Sequence, residues 1–377
     1  PLLDEFNKAN PTFIVQYEQK PVDTFDQNLL EALASGKGPD MLLLRNDLAF
    51  HYIDKIFSIP YTSYPLASFQ SNFAGAGEVF LTSKGILAFP LSVDSLVMYY
   101  NRNILDSNGV VYPPASWDDL VGLASKLTKK DKTGKIVENT VALGHFSNIT
   151  NAKDILATLF MQAGNPIIAE KKGNLTSTLK DTPGGKLNLA SVLEFYTDFA
   201  DPSKDVYSWN RSFPSSSDVF SRENSAFYFG FASELSSLIN RNPNQNFGVA
   251  PIPQIKNTNS KVTASHVTGI AILSSSKNFN TAFTAAGLLS AGDFASKFAA
   301  QNGMAPARRD LLNIKPLDAF SPIAYDSALY GKSWLDPSPK DTDNIFRNMI
   351  DGVLSNNMTT KDAIEDADSK LNFLLRK

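Results

Sequence analysis

Residues Gly85–Leu105 read GILAFPLSVDSLVMYYNRNIL. An apolar run, Ile86 to Phe89, stops at Pro90, and a second, Leu96 to Tyr100, begins after a short polar interruption around Asp94. β-branched, aromatic and aliphatic residues in runs of this length read as strands. Proline brings no donor to a ladder, so the interruption is expected to be a crossing or a loop between two short strands rather than the middle of one long one. A single carboxylate, Asp94, is thereby held where two rigid elements meet.

The rest of the chain must supply what those strands pack against. At 377 residues it exceeds one ordinary core, and roughly 150 residues per domain implies two or three units. A hydrophobic fraction of 43% with 26 Phe is enough to build them. The net charge of -3 provides no polycationic face, which argues against nucleic acid or an anionic membrane as partner and for a small or neutral ligand. With no Cys, disulfides, thiolate zinc sites and cysteine nucleophiles are excluded. The three histidines, His51, His145 and His266, are too scattered for a local metal motif, so neither metal nor cofactor is expected. No run approaches the about 18 apolar residues of a membrane-spanning helix.

In chain order, Pro1–Phe6 reads as the middle of an amphipathic helix, so an upstream piece is expected. Phe13–Tyr17 reads as a strand and a helix carrying Phe25, Leu29, Ala32 and Leu33 on one face follows, with Gly36 just beyond it. Met41–Leu44 is apolar on both faces and predicts a buried parallel strand, giving a β-α-β opening of an α/β fold. Ligands of open α/β sheets sit beyond the carboxyl ends of strands, here Arg45, Asn46 and Asp47. The competing reading is that Asn46 or Asp47 caps the next helix. Ser116 with Asp119 predicts a capped helix start whose Trp117 is core. Residues 172–187 read as a surface excursion, and Trp334, beside Asp336-Pro337-Ser338-Pro339 and outside any helical stripe, is the aromatic candidate for a cleft wall. Thr359 and Asp362 open the last helix.

These phrases together resemble the extracellular solute-binding proteins of bacterial ABC importers, in the maltose-binding-like branch. The resemblance is carried by glycine, strand, Pro90, Asp94 and Tyr99-Tyr100-Asn101-Arg102-Asn103, then Pro114-Ala115-Ser116-Trp117-Asp118-Asp119. It continues through Ala226–Gly230 before Phe231–Glu234, Asn246–Pro253, His266–Leu273 and Asn302–Arg309. It implies two discontinuous α/β lobes, residues 1–101 plus 267–311 and 102–266 plus 312–377, hinged about a ligand cleft. It also implies that Asp94 faces the cleft and that Arg45, Asn46, Asp47, Asn151, Lys153, Phe231, Glu234, Thr268 and Gly269 contribute ligand contacts. Gly269 would permit close approach of a ligand. The function implied is capture of a sugar or oligosaccharide by a monomer and delivery to a membrane permease. In such proteins the upstream piece carries a secretion signal, often with a lipid-anchored cysteine, and one loop of the pocket, which places the protein outside the cell membrane. Alternatives are a cationic solute such as a polyamine, a peptide, a transport-incompetent adhesin or receptor, or a hydrolase using Asp94 and Glu234.

Overall fold

The strand that contains Asp94 passes through the whole molecule. A computed structural model describes residues 1–181, 187–258 and 260–376. Its main sheet has nine strands: Met41–Arg45 (β1), Phe89–Asn101 (β2), Lys129–Lys130 (β3), Ile136–Val141 (β4), Ser225–Phe231 (β5), Phe247–Pro251 (β6), Thr263–Ile272 (β7), Ala305–Pro306 (β8) and Gly331–Lys332 (β9). The path through it is β1-β7-β2-β5-β4-β3, with β6 and β8 also on β2 and β9 on β7.

The expected break in β2 is absent: the two apolar runs form one strand of 13 residues. Pro90 is tolerated because it lies second in the strand, opposite Gly269 where the register shifts in a bulge, so its missing N–H falls at an irregular point of the ladder. What changes along β2 is its partners. Phe89 to Ser95 pair with β7, and Ser92 and Val93 also with β8; Leu96 to Tyr100 pair with β5 and Val97 to Asn101 with β6. The packing changes at the same place. Phe89, Leu91 and Val93 enter one hydrophobic core with Leu44, Ile270, Ala286 and Leu312, whereas Leu96 and Met98 enter another with Leu120, Phe160, Phe227, Phe346 and Leu371. β7 makes the same passage in reverse, from Ala264 in the second core to Val267 in the first. Tyr325 and Ala328, late in the chain, also pack in the first core, and Val97, Tyr99, Tyr228 and Phe247 belong to a small third cluster.

The opening departs from β-α-β. Phe13–Tyr17 forms no strand: Val15 exchanges its backbone hydrogen bonds with the side chain of Asn7, at 2.8 and 2.9 Å, and Ile14 is 75% exposed. β1 is antiparallel to β7 and alternates between buried Leu42 and Leu44 and exposed Leu43, so the apolar run is a half-buried strand at the end of the sheet path instead of a central parallel one. The helices match the sequence reading more closely. Leu2–Ala9, Phe25–Ala34 and Trp117–Leu127 form as expected, Gly36 turns the chain at φ +67°, the Ser116 side chain accepts from the Asp119 N–H, and Trp117 is buried. Within 172–187, Asn174–Ser177 pairs with Ile168–Lys171, and residues 182–186 lie outside the described ones.

Candidate functional site

β1 ends at Arg45, and the chain turns at once through Asn46–Leu48. Neither Asn46 nor Asp47 caps that turn; both are committed elsewhere. Asp47 receives a two-pronged contact from Arg45, Nε to Oδ1 at 2.8 Å and Nη2 to Oδ2, which fixes the guanidinium at the strand end. Asn46 is buried; its Oδ1 accepts from the Val267 N–H at 2.9 Å and its Nδ2 donates to the Trp334 carbonyl at 3.3 Å.

Facing this strand end is the first turn of the helix Ala152–Gln162. Asn151 precedes it in the left-handed conformation, φ 61°, which asparagine tolerates. Lys153 reaches Asp336 at 3.0 Å and Asp343 at 2.6 Å, so its charge stays neutralised although mostly buried. Burial disfavours its ammonium form, but the two aspartates outweigh this and raise its pKa; burial likewise raises that of Asp336 against the pull of Lys153. Asp154 accepts from the His266 Nε2 at 3.0 Å. Each member of this pair opposes the cost of burial in the other: the imidazole is held above its usual pKa and the carboxyl below.

These groups enclose a cavity of about 180 Å³, lined on one side by Arg45, Asn46 and Asp47 and on the other by Lys153, Asp154, Asp336 and Asp343, with Ser265, His266 and Trp334 between. Trp334 is 7% exposed, its ring stacked on Phe346 at 6.1 Å, so packing occupies one of its faces. Asp94 lies directly across the ladder from His266 but is itself engaged: Ser233 donates from its N–H at 3.1 Å and its hydroxyl at 2.6 Å. Burial dominates and lifts the Asp94 pKa to about 6 despite those donors. Glu234 is saturated in the same way, by the Phe231 N–H at 2.8 Å, Asn151 Nδ2 at 2.6 Å and the Tyr228 hydroxyl. Phe231 places its ring 4.4 Å from that of His266.

The two remaining expected contacts lie further along β7. Thr268 pairs with Arg45 and Ser92 within the sheet. At Gly269 the close approach is made by the protein: an added Cβ would meet the Phe80 ring at 2.8 Å and the Phe89 carbonyl at 3.1 Å, so this glycine serves packing where a ligand contact was expected. The sequence reading missed Asp154, Ser233, Ser265, Lys332, Asp336 and Asp343. Asp154 and His266 are 112 residues apart, and nothing local in the sequence pairs them.

The central strands thus run from one hydrophobic core into another, with polar strand ends and a helix start lining a cavity beside the passage, in a two-core α/β molecule. The sequence model for bacterial extracellular solute-binding proteins matches residues 1–307, and the chain belongs to that family. A Brucella abortus protein that carries only the general name of binding protein is 23% identical over 398 residues, covering 100% of this chain and 90% of its own length. Among solved structures, the sugar-binding protein MalE from the phytopathogen Xanthomonas citri is 18% identical with a TM-score of 0.78, covering 100% of this chain and 93% of its own. A cyclo/maltodextrin-binding protein complexed with maltotetraose is 16% identical with a TM-score of 0.77, covering 98% and 91%. At such identities the structures establish a shared α/β fold. Among the described residues no helix is long and apolar enough to cross a membrane, and no group of His, Asp or Glu has a metal-holding arrangement.

Proposed function

We propose that this protein is the extracellular capture component of an ABC importer, which closes two lobes on a sugar or oligosaccharide and hands it to a membrane permease. The lobes are residues 1–101 with 267–311 and 102–266 with 312–377, the last stretch reaching back through Leu312, Tyr325 and Ala328 to pack in the first core, and the protein works as a lipid-anchored monomer. Family membership supports the transport role, and the oligosaccharide complex of a structural relative supports the ligand class.

The observation that carries the ligand reading is charge balance. Four carboxylates line the cavity, Asp47, Asp154, Asp336 and Asp343, against Arg45, Lys153, Lys332 and the raised His266. A polyamine needs an acidic excess; a neutral polyhydroxyl solute needs fixed polar groups of both signs beside an aromatic wall. The cavity is smaller than the about 300–1,000 Å³ common for small-molecule sites, so a chain of rings enters only when the lobes part. Parting about β2 and β7 supplies that opening, and a ligand favours the closed form by the amount it binds that form better. No catalytic role is proposed: Asp94 and Glu234 are both engaged by donors of the protein, whereas glycoside hydrolysis needs two carboxyl groups free to meet the substrate.

Titration calorimetry with mono- to tetrasaccharides, with small-angle scattering on the same samples, tests this. Heat accompanied by compaction is expected for a sugar. Binding of a polyamine alone, or oligosaccharide cleavage, would replace the proposal.

A further inference from the structure

His266 is one of the cavity-lining groups that a remote partner fixes and leaves with an edge to spare. Its Nε2 is spent on Asp154, its ring lies against Phe231, and its side chain is still 23% exposed. Among the described residues no hydrogen bond is made to Nδ1. We propose that His266 is a ligand-contacting residue that sets specificity, presenting Nδ1 to an oxygen of the bound sugar while Asp154 and Phe231 hold the ring in place. This rests on the reading above that a sugar occupies this cavity.

The tautomer follows from the partner. A carboxylate at Nε2 requires that nitrogen to carry its proton, so Nδ1 is the position whose role changes with pH. When the ring is charged, Nδ1–H donates a charge-assisted bond to a hydroxyl or ring oxygen; when it is neutral, Nδ1 only accepts. The charged groups facing the ring come from three elements: Asp154 on the helix Ala152–Gln162, Arg45 and Asp47 at the end of β1, and Asp94 across the ladder on β2. Burial is the largest single influence and disfavours the charged ring, but the charge and hydrogen bond of Asp154, helped by Asp47, outweigh burial and Arg45 together and favour it. Sugar affinity therefore decreases as pH rises through the titration of His266, and a hydroxyl, able to donate in turn, keeps part of the bond.

The test is calorimetry from pH 5.5 to 8.5 on wild type, His266→Phe and His266→Gln, with glucose, galactose, maltose, maltotriose and maltotetraose as probes. Wild-type affinity is expected to fall across this range, and His266→Phe to bind about tenfold more weakly at pH 5.5 with a flat profile, having lost a charge-assisted hydrogen bond but kept a ring. His266→Gln, with a neutral amide, should lie between them and be equally flat. Ring-proton resonances of the three histidines in the wild type give an answer that does not depend on variants folding: the His266 signal should shift on adding the bound sugar. Unchanged affinity and pH profile in both variants, or an unmoved His266 signal in a saturated wild type, would overturn the role of His266 and leave the sugar reading intact. Absence of heat with every probe in the wild type would overturn both.

Discussion

Asp94 carries the clearest electrostatic prediction. Burial raises its pKa to about 6 from an ordinary 3.8, so between those values the folded chain holds a proton that the unfolded chain has released. Stability contributed by this group thus grows as pH falls through about 6, and His266, raised above 6.5, adds the same sign in a higher window because its charged form is lost as pH rises. Asp94→Asn removes the first of these. Relative to wild type it should gain stability at pH 7 and lose about 1 kcal/mol of that advantage by pH 5, read from denaturant midpoints at the two values; a constant difference would show that Asp94 does not titrate there. At this scale the sequence revealed which residues were polar near strand ends but not what they touch. Asp94 could be singled out because it interrupts an apolar stretch, whereas its donor Ser233 is 139 residues away and sits in an unremarkable Ala-Ser-Glu turn.

The elements were legible where a local signal decides them. Caps and apolar faces placed the helices because side-chain and backbone groups a few residues apart settle a helix start. Strands were less legible because pairing partners are remote: nothing within Phe13–Tyr17 reveals that Asn7 takes the backbone bonds of Val15, and nothing near Pro90 reveals the bulge at Gly269 that accommodates it. That bulge makes Gly269 a test of β2 as a continuous element. Gly269→Ala would drive a methyl to within 3 Å of the Phe80 ring and hard against Ala88 and the Phe89 carbonyl, so the Phe80 ring or the β7–β2 ladder must shift. A loss of about 1–3 kcal/mol is expected from overpacking, visible in thermal unfolding, with sugar affinity measured well below the transition little changed. A large loss of affinity at intact stability would return Gly269 to the ligand site.

Across the whole molecule, the two-core organisation was legible from length and from the phrases shared with a known family, while the contacts that couple the cores were not. Asn46 is the best placed of these. It follows β1 of the first core, accepts from Val267 of that same core, and donates to the carbonyl of Trp334, whose ring packs in the second. Its amide therefore bridges the passage independently of any ligand, and under the closure proposed above it would bias the equilibrium toward the closed form. Removing it with Asn46→Ala leaves the buried Val267 N–H without that partner in either form, and the Trp334 carbonyl without it in the closed form alone, so of a cost of about 1–3 kcal/mol only the Trp334 share is borne by the closed form. Part of that cost falls on binding, because a ligand that selects the closed form must supply what the bridge no longer does. The variant should show a larger radius of gyration in the absence of sugar, the wild-type compact value when saturated, and an affinity about five- to tenfold lower. A ligand-free scattering profile identical to wild type would mean that the bond from Asn46 to Trp334 couples nothing, and that closure is governed by β2 and β7 alone.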